Sequence, residues 1–140
     1  MKEVKNNNPY YHGLMNWFRD ISHRGFLQGA PNALIGKAKN RSCGDEVSLQ
    51  LVFKHGKIVS ARYDGESCAI SLASSSALCK MIEGNTPAEA AALLDALRKA
   101  SCEGIAGCGM DDFVVLHEHS RRHRCATLVT DACEEILGSL

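Results

Sequence analysis

Asn40-Arg41-Ser42-Cys43-Gly44-Asp45 opens a stretch that runs through two alternating apolar segments and closes with Asp64-Gly65-Glu66-Ser67-Cys68-Ala69-Ile70-Ser71-Leu72-Ala73. Between its ends, Val47, Leu49, Leu51 and Phe53 alternate with Ser48, Gln50 and Lys54, the period of a half-buried strand. His55-Gly56 supplies a two-residue turn, with Gly56 free to take positive φ, and Ile58 to Tyr63 forms the return strand. An antiparallel hairpin brings the end of its second strand beside the start of its first. Cys68 is therefore expected near Cys43 and Asp45. Gly44 lets the backbone bend so that both of those side chains can face one point. A third cysteine, Cys125, precedes a helical pattern. Three thiols and one carboxylate are enough to close a four-coordinate site for a thiophilic metal.

Outward from this stretch the pattern is mixed. Tyr10, Leu14, Trp17, Phe18 and Ile21 share helical spacing, and the glycines after them end that helix. Ala33 to Ala38 reads as a short edge strand. From Cys68, the residues Ile70, Ala73, Ala77, Leu78, Met81 and Ile82 share a helical face, with serines between them that allow close packing. Gly84 ends that helix. Thr86-Pro87-Ala88-Glu89 then gives an N-cap, a proline at the first helical position and a capping-box glutamate, opening a helix to about Ala100. Residues 101–110 read as a loop around Cys102 and Cys108. The Phe113-Val114-Val115-Leu116 run fits strand or helix equally. A last helix carries Cys125, Leu128, Val129, Ala132 and Ile136 on one face. The expected organisation is a polar, disordered tail over residues 1–9 and one domain over residues 10–140.

Composition narrows the classes of function. The chain has 140 residues, with 16 basic and 16 acidic side chains, so its formal net charge is zero. Nucleic acid as the main partner would favour a basic surface, and no apolar run is long enough for a membrane span. The N-terminus Met1-Lys2-Glu3-Val4-Lys5 is too polar for a secretory signal, which points to the cytoplasm. Seven cysteines are many for this length, and the odd count argues against a disulfide scaffold. In a reducing compartment, metal binding or thiol chemistry explains them better.

Cys68 and Cys125 are both expected at helix N-termini. There the partial positive charge, reinforced by Arg121, Arg122 and Arg124 beside Cys125, would favour thiolate. Cys79 falls on an inward helical face and reads as a core thiol, and Cys133, two turns after Cys125, as a core or near-surface one. Cys102 and Cys108 with His117, His119 and His123 match no common zinc spacing. The His117-Glu118-His119 group reads as a solvated face, and Tyr10, Trp17 and Phe18 as packing residues. On spacing alone, Cys43, Cys68 and Cys125 are equally readable as scattered free thiols, because none belongs to a CxxC pair.

The three cysteine motifs together, Asn40-Arg41-Ser42-Cys43-Gly44-Asp45, Gly65-Glu66-Ser67-Cys68-Ala69-Ile70-Ser71-Leu72-Ala73-Ser74-Ser75-Ser76 and Arg124-Cys125-Ala126-Thr127-Leu128, resemble those of the IscU/SufU/NifU N-terminal family of iron–sulfur cluster assembly scaffolds. Phe18-Arg19-Asp20 and Arg24-Gly25-Phe26-Leu27 are a looser echo of that family's first helix and the loop after it. The resemblance implies an α+β fold, a three-stranded antiparallel sheet packed by helices, with the cysteine pocket at one end. It implies Cys43, Asp45, Cys68 and Cys125 as ligands of zinc or of a transient [2Fe–2S] cluster. It also implies a cysteine desulfurase and apo iron–sulfur recipient proteins as partners. Cys43 is the expected persulfide acceptor, on the expectation that it sits on a flexible loop.

The position before the third cysteine is Arg124 where the IscU branch has histidine, and His123 is one residue too early to replace it. Nothing between Met110 and Arg124 matches that branch's Leu-Pro-Pro-Val-Lys chaperone motif. The likeness is therefore closer to the SufU branch, which binds zinc and accepts sulfur. The resemblance implies a scaffold or a zinc-dependent sulfurtransferase rather than a conventional enzyme. The alternative is a structural zinc-binding or partner-binding module without sulfur chemistry.

Overall fold

A computed structural model describes residues 11–140; the expected tail over residues 1–9, and Tyr10, lie outside the described residues. The elements in chain order are α1 (His12–Arg19), β1 (Leu34–Asn40), β2 (Asp45–Lys54), β3 (Lys57–Glu66), α2 (Ala69–Ile82) and α3 (Pro87–Arg98). A π-helical turn (Lys99–Glu103), a 3-10 helix (Asp111–Glu118) and α4 (Ser120–Leu137) complete them. The three strands form one antiparallel sheet in the order β1-β2-β3, so the architecture is α+β as expected.

The sheet is built from the alternation in the sequence. Val47, Leu49 and Leu51 of β2 and Ile58, Ala61 and Tyr63 of β3 all point into the core. The β2–β3 turn has positive φ at both His55 and Gly56, which suits the right-handed twist of the strands it joins. Register slips between Val52 and Phe53, where Phe53 pairs with Ile58 and Val52 with Ser60, leaving Val59 as the extra residue of a bulge. The outer edge of β3 is not left open. Asn85 O accepts from Ile58 N, Gly84 N donates to Ile58 O, Tyr63 N donates to His23 O and Gly25 N donates to Tyr63 O. The Glu83 carboxylate takes Ala61 N at 2.9 Å.

Helix α2 is the central element. Ser71 to Cys79 are buried without interruption, so the helix is enclosed on all sides rather than along one face. Three of its four serines are satisfied there, Ser74 and Ser75 donating back to Ser71 O and Ser76 to Asp20 O at 2.9 Å, while Ser71 Oγ is buried without a partner. Glu83 caps α2 with Gly84 beyond it at φ 87°, and Thr86 and Glu89 make the capping box that starts α3. Helix α4 lies against β1 so closely that a β-carbon at Gly36 would collide with the Ala132 carbonyl and the Ile136 side chain.

Two local expectations are corrected and one left open is decided. Helix α1 stops at Arg19, and Ile21 lies outside it, 66% exposed. Asp20 turns the chain by accepting from Ser22 N and Ser22 Oγ, a local bond that competes with helix continuation. The ambiguous apolar run is a 3-10 helix with Phe113 and Leu116 buried three apart, where that helix eclipses side chains. Helix α4 begins at Ser120, five residues before Cys125. Cys79 is a core thiol, as its helical position predicts, and Cys133 is buried in the core as well. Among the described residues no helix is long and apolar enough to cross a membrane.

Candidate metal centre

One end of the sheet gathers the chemistry. Asp45 is the first residue of β2, and Cys68, two residues beyond the end of β3, is the N-cap of α2. Cys125 comes from α4, which packs against the same side. One ligand atom from each of Asp45, Cys68 and Cys125 lies within 4.8 Å of the others. Cys125 is almost fully enclosed and Cys68 half-buried. The expected meeting of distant thiols with a carboxylate is present for these three residues.

Asp45 is oriented by its neighbour: Cys68 N donates to Asp45 Oδ1 at 3.2 Å. Its other oxygen, Oδ2, is buried with no hydrogen-bond partner. A buried carboxylate oxygen left unpaired is costly, and a bound cation would satisfy it. Two thiols and a carboxylate are donors that suit zinc or iron, so the residues present fit a thiophilic metal. The three leave a fourth position free.

The electrostatics depart from the sequence expectation. Burial pushes the Cys68 thiol up to about 12, opposed by a hydrogen bond from Ser71 N–H and reinforced by the nearby Cys125 and Asp45. The helix terminus is present, but desolvation and neighbouring acids outweigh it in the metal-free protein. A bound cation reverses the sign, because it favours the deprotonated ligand.

Cys125 does not share the helix-terminus setting: it lies in the second turn of α4. Arg124 is also turned away, with its guanidinium 2.6 Å from Asp131 Oδ2 along the helix. The chain reads ambiguously there because Arg121, Arg122 and Arg124 crowd the start of α4, opposing its dipole, and no side chain caps it.

Cys43 sits exposed at the tip of the β1–β2 connection and is outside the group that shares 4.8 Å. The connection is not an open loop. Gly44 N donates to Asn40 O at 2.8 Å, Ser42 N donates to Asn40 Oδ1 at 3.1 Å, and Gly44 takes φ 79°. It is a tight turn, closed at its base by the Asn40–Asp45 pair.

The histidines in and after the 3-10 helix are occupied elsewhere. His117 Nδ1 lies 3.2 Å from Cys102 O, His119 Nε2 lies 3.2 Å from Tyr11 Oη, and His123 Nε2 contacts the Leu116 and His117 carbonyls. Trp17 packs against the core as expected, and its indole donates to Asp112 Oδ2 at 3.0 Å. Sequence reasoning missed the residues that hold the site from behind. Ser67 Oγ donates to Glu46 O, and Gly65 is pressed against β2 with φ 138°. A glycine three residues before a candidate ligand was the only signal for the second.

Comparison with known proteins places this arrangement. The iron-sulfur cluster assembly scaffold protein IscU of Thermotoga maritima is 33% identical over 92 residues, 66% of this chain and 63% of that protein. The zinc-dependent sulfurtransferase SufU of Bacillus subtilis is 27% identical over 75 residues, 54% of this chain and 49% of that protein. The chain thus spans less than two thirds of the length of these curated relatives.

Among solved structures, a putative iron-sulfur cluster assembly scaffold protein for the SUF system from Fervidobacterium islandicum superposes with a TM-score of 0.80 at 26% identity, covering 90% of this chain and 94% of that one. The N-terminal part of a NifU-like protein from Brucella abortus shares the fold, with a TM-score of 0.81 at 22% identity over 92% of each chain. The model of the NifU-like N-terminal domain matches residues 9–104, more than half of the sequence, and the chain belongs to that family.

Proposed function

We propose that this protein takes part in iron–sulfur cluster assembly, holding a thiophilic metal or a nascent [2Fe–2S] cluster on Asp45, Cys68 and Cys125, with Cys43 as the fourth ligand. The observation that carries this reading is the shared position of the three ligand atoms together with the buried, unpartnered Asp45 Oδ2. The donor set has a consequence for release. A carboxylate among thiolates is the harder and weaker ligand for a sulfur-bridged cluster, so the cargo is held less tightly than by four cysteines. That suits hand-over to apo iron–sulfur recipient proteins.

A second reading is favoured by the position of Cys43, exposed on its turn while the other three ligands are gathered inside. In that reading the enclosed residues hold zinc, which keeps their thiolates quiet, and Cys43 is the sulfur acceptor. Its thiolate attacks the outer sulfur of a cysteine desulfurase persulfide; the sulfur–sulfur bond breaks, the desulfurase thiolate leaves, and Cys43 carries the persulfide.

One set of measurements separates the readings. Protein purified without air is analysed for metal, then incubated with iron, cysteine and a cysteine desulfurase. A brown chromophore that Cys68→Ser and Cys125→Ser abolish supports the scaffold. One tight zinc per chain, with sulfur release accelerated by wild type but not by Cys43→Ser, supports the acceptor. Neither chromophore nor acceleration, with zinc retained, leaves the structural zinc module.

A further inference from the structure

The segment 21–27 between α1 and β1 crosses the outer face of the sheet, and the thiol constellation does not account for how it is fastened. Arg62, on β3, donates from Nε to Gly25 O at 2.8 Å and from Nη2 to Arg24 O at 2.9 Å. Farther along, the Gln50 amide accepts from Leu27 N and donates to Leu27 O, as a strand neighbour would. Arg24 forms a parallel bridge with Tyr63, so the segment runs beside the end of β3. The Arg24 side chain then reaches back toward the site: Nη2 donates to Gly65 O at 3.1 Å, and Nε lies 3.7 Å from Asp64 Oδ1. Asp64 Oδ1 itself accepts from Gly65 N at 2.9 Å.

We propose that Arg24 is a positioning residue of the metal centre, fixing through Gly65 the end of β3 from which Cys68 is suspended. The proposal rests on the metal-binding reading above. Gly65 is the weak point of that suspension. It has no side chain to lock it, and it holds φ 138°, a conformation other residues rarely adopt. Arg24 secures both peptide groups that flank it, the carbonyl directly and the N–H through Asp64. Beyond Gly65, Ser67 Oγ donates to Glu46 O and Cys68 N donates to Asp45 Oδ1. The chain beyond Gly65 is thus held to the start of β2 by two contacts, and Arg24 holds Gly65 itself.

Metal ligands must stand within about 0.2 Å of their ideal distances, so a small swing at Gly65 reaches Cys68 as lost coordination. Outer contacts of this kind tune affinity by roughly 10–100-fold in other metal sites.

The test loads metal-free full-length protein with cobalt(II), read by thiolate-to-cobalt absorption, and measures zinc affinity by chelator competition. Arg24→Ala is expected to weaken zinc about tenfold and to alter the cobalt band. Arg24→Lys, which keeps a donor for Gly65 O, recovers most of the affinity. Gln50→Ala frees the same segment at its far end and serves as the control: it lowers the melting temperature without changing the cobalt band. The proposal fails if Arg24→Ala binds like wild type, or if Gln50→Ala loses affinity to the same extent. Wild-type protein that gives no thiolate-to-cobalt absorption would instead overturn the metal-binding reading, and this proposal with it.

Discussion

At the scale of single residues, the four candidate ligands are not equivalent. Asp45, Cys68 and Cys125 are held by two strand or helix ends and the body of a helix, whereas Cys43 stands on an exposed turn. Cys68→Ser and Cys125→Ser are therefore expected to lose most bound zinc, and Cys43→Ser to retain more of it; metal content after dialysis against a weak chelator reads the difference. Equal loss in all three would show that Cys43 closes the site as firmly as the buried thiols. Asp45→Asn keeps the acceptor for Cys68 N but removes the charge. It should leave the fold intact and weaken metal binding, because the buried oxygen no longer attracts a cation.

At the scale of elements, the site depends on the seating of α4 and the register of the sheet. The absence of a side chain at Gly36 allows α4 to approach β1, and Cys125 rides on α4. Gly36→Ala is expected to destabilise the protein by about 1–3 kcal/mol, the usual range for overpacking, measured as a lower urea midpoint. It should also weaken zinc, since the helix shifts with its cysteine. Thr86→Ala removes the capping box of α3, which carries no ligand, and should cost about 1 kcal/mol with zinc affinity unchanged. The hairpin and this cap were legible because each rests on neighbours in sequence: alternation, His55-Gly56, Thr86-Pro87 and Glu89. The start of α4 was not, because its first turn is basic and uncapped and the helix is stabilised by tertiary burial of Leu128, Val129 and Ile136.

For the whole molecule, the core itself titrates. Burial pushes the Cys133 thiol up to about 12 from an ordinary value of 9.0, raises Cys79 well above the same value, and raises Cys68 to about 12. A thiol whose folded pKa is raised is protonated in both states below the unfolded value. Above it, the unfolded chain releases a proton that the folded chain still holds. Metal-free protein should therefore lose stability steadily as pH rises from about 9 toward 12. Melting temperatures across that range check this. Replacing Cys79 and Cys133 together by Ala should lower stability at neutral pH but flatten the alkaline decline, and an unchanged decline would place its origin elsewhere.

The chain by itself determined the strand pairing of β2 with β3, the helices α2 and α3 after it and the family to which it belongs. Those follow from short-range periodicity, turn chemistry and motifs in which each residue type carries its own conformational preference. Only the tertiary structure decided which candidate ligands converge, that Cys43 stands apart on a tight turn, that burial outweighs the helix terminus at Cys68, and that Arg24 clasps Gly65. Those outcomes depend on distances and desolvation between residues as far apart as Arg24 and Gly65 or Cys68 and Cys125. Such long-range terms are set by how packed elements share space, and linear spacing does not encode them.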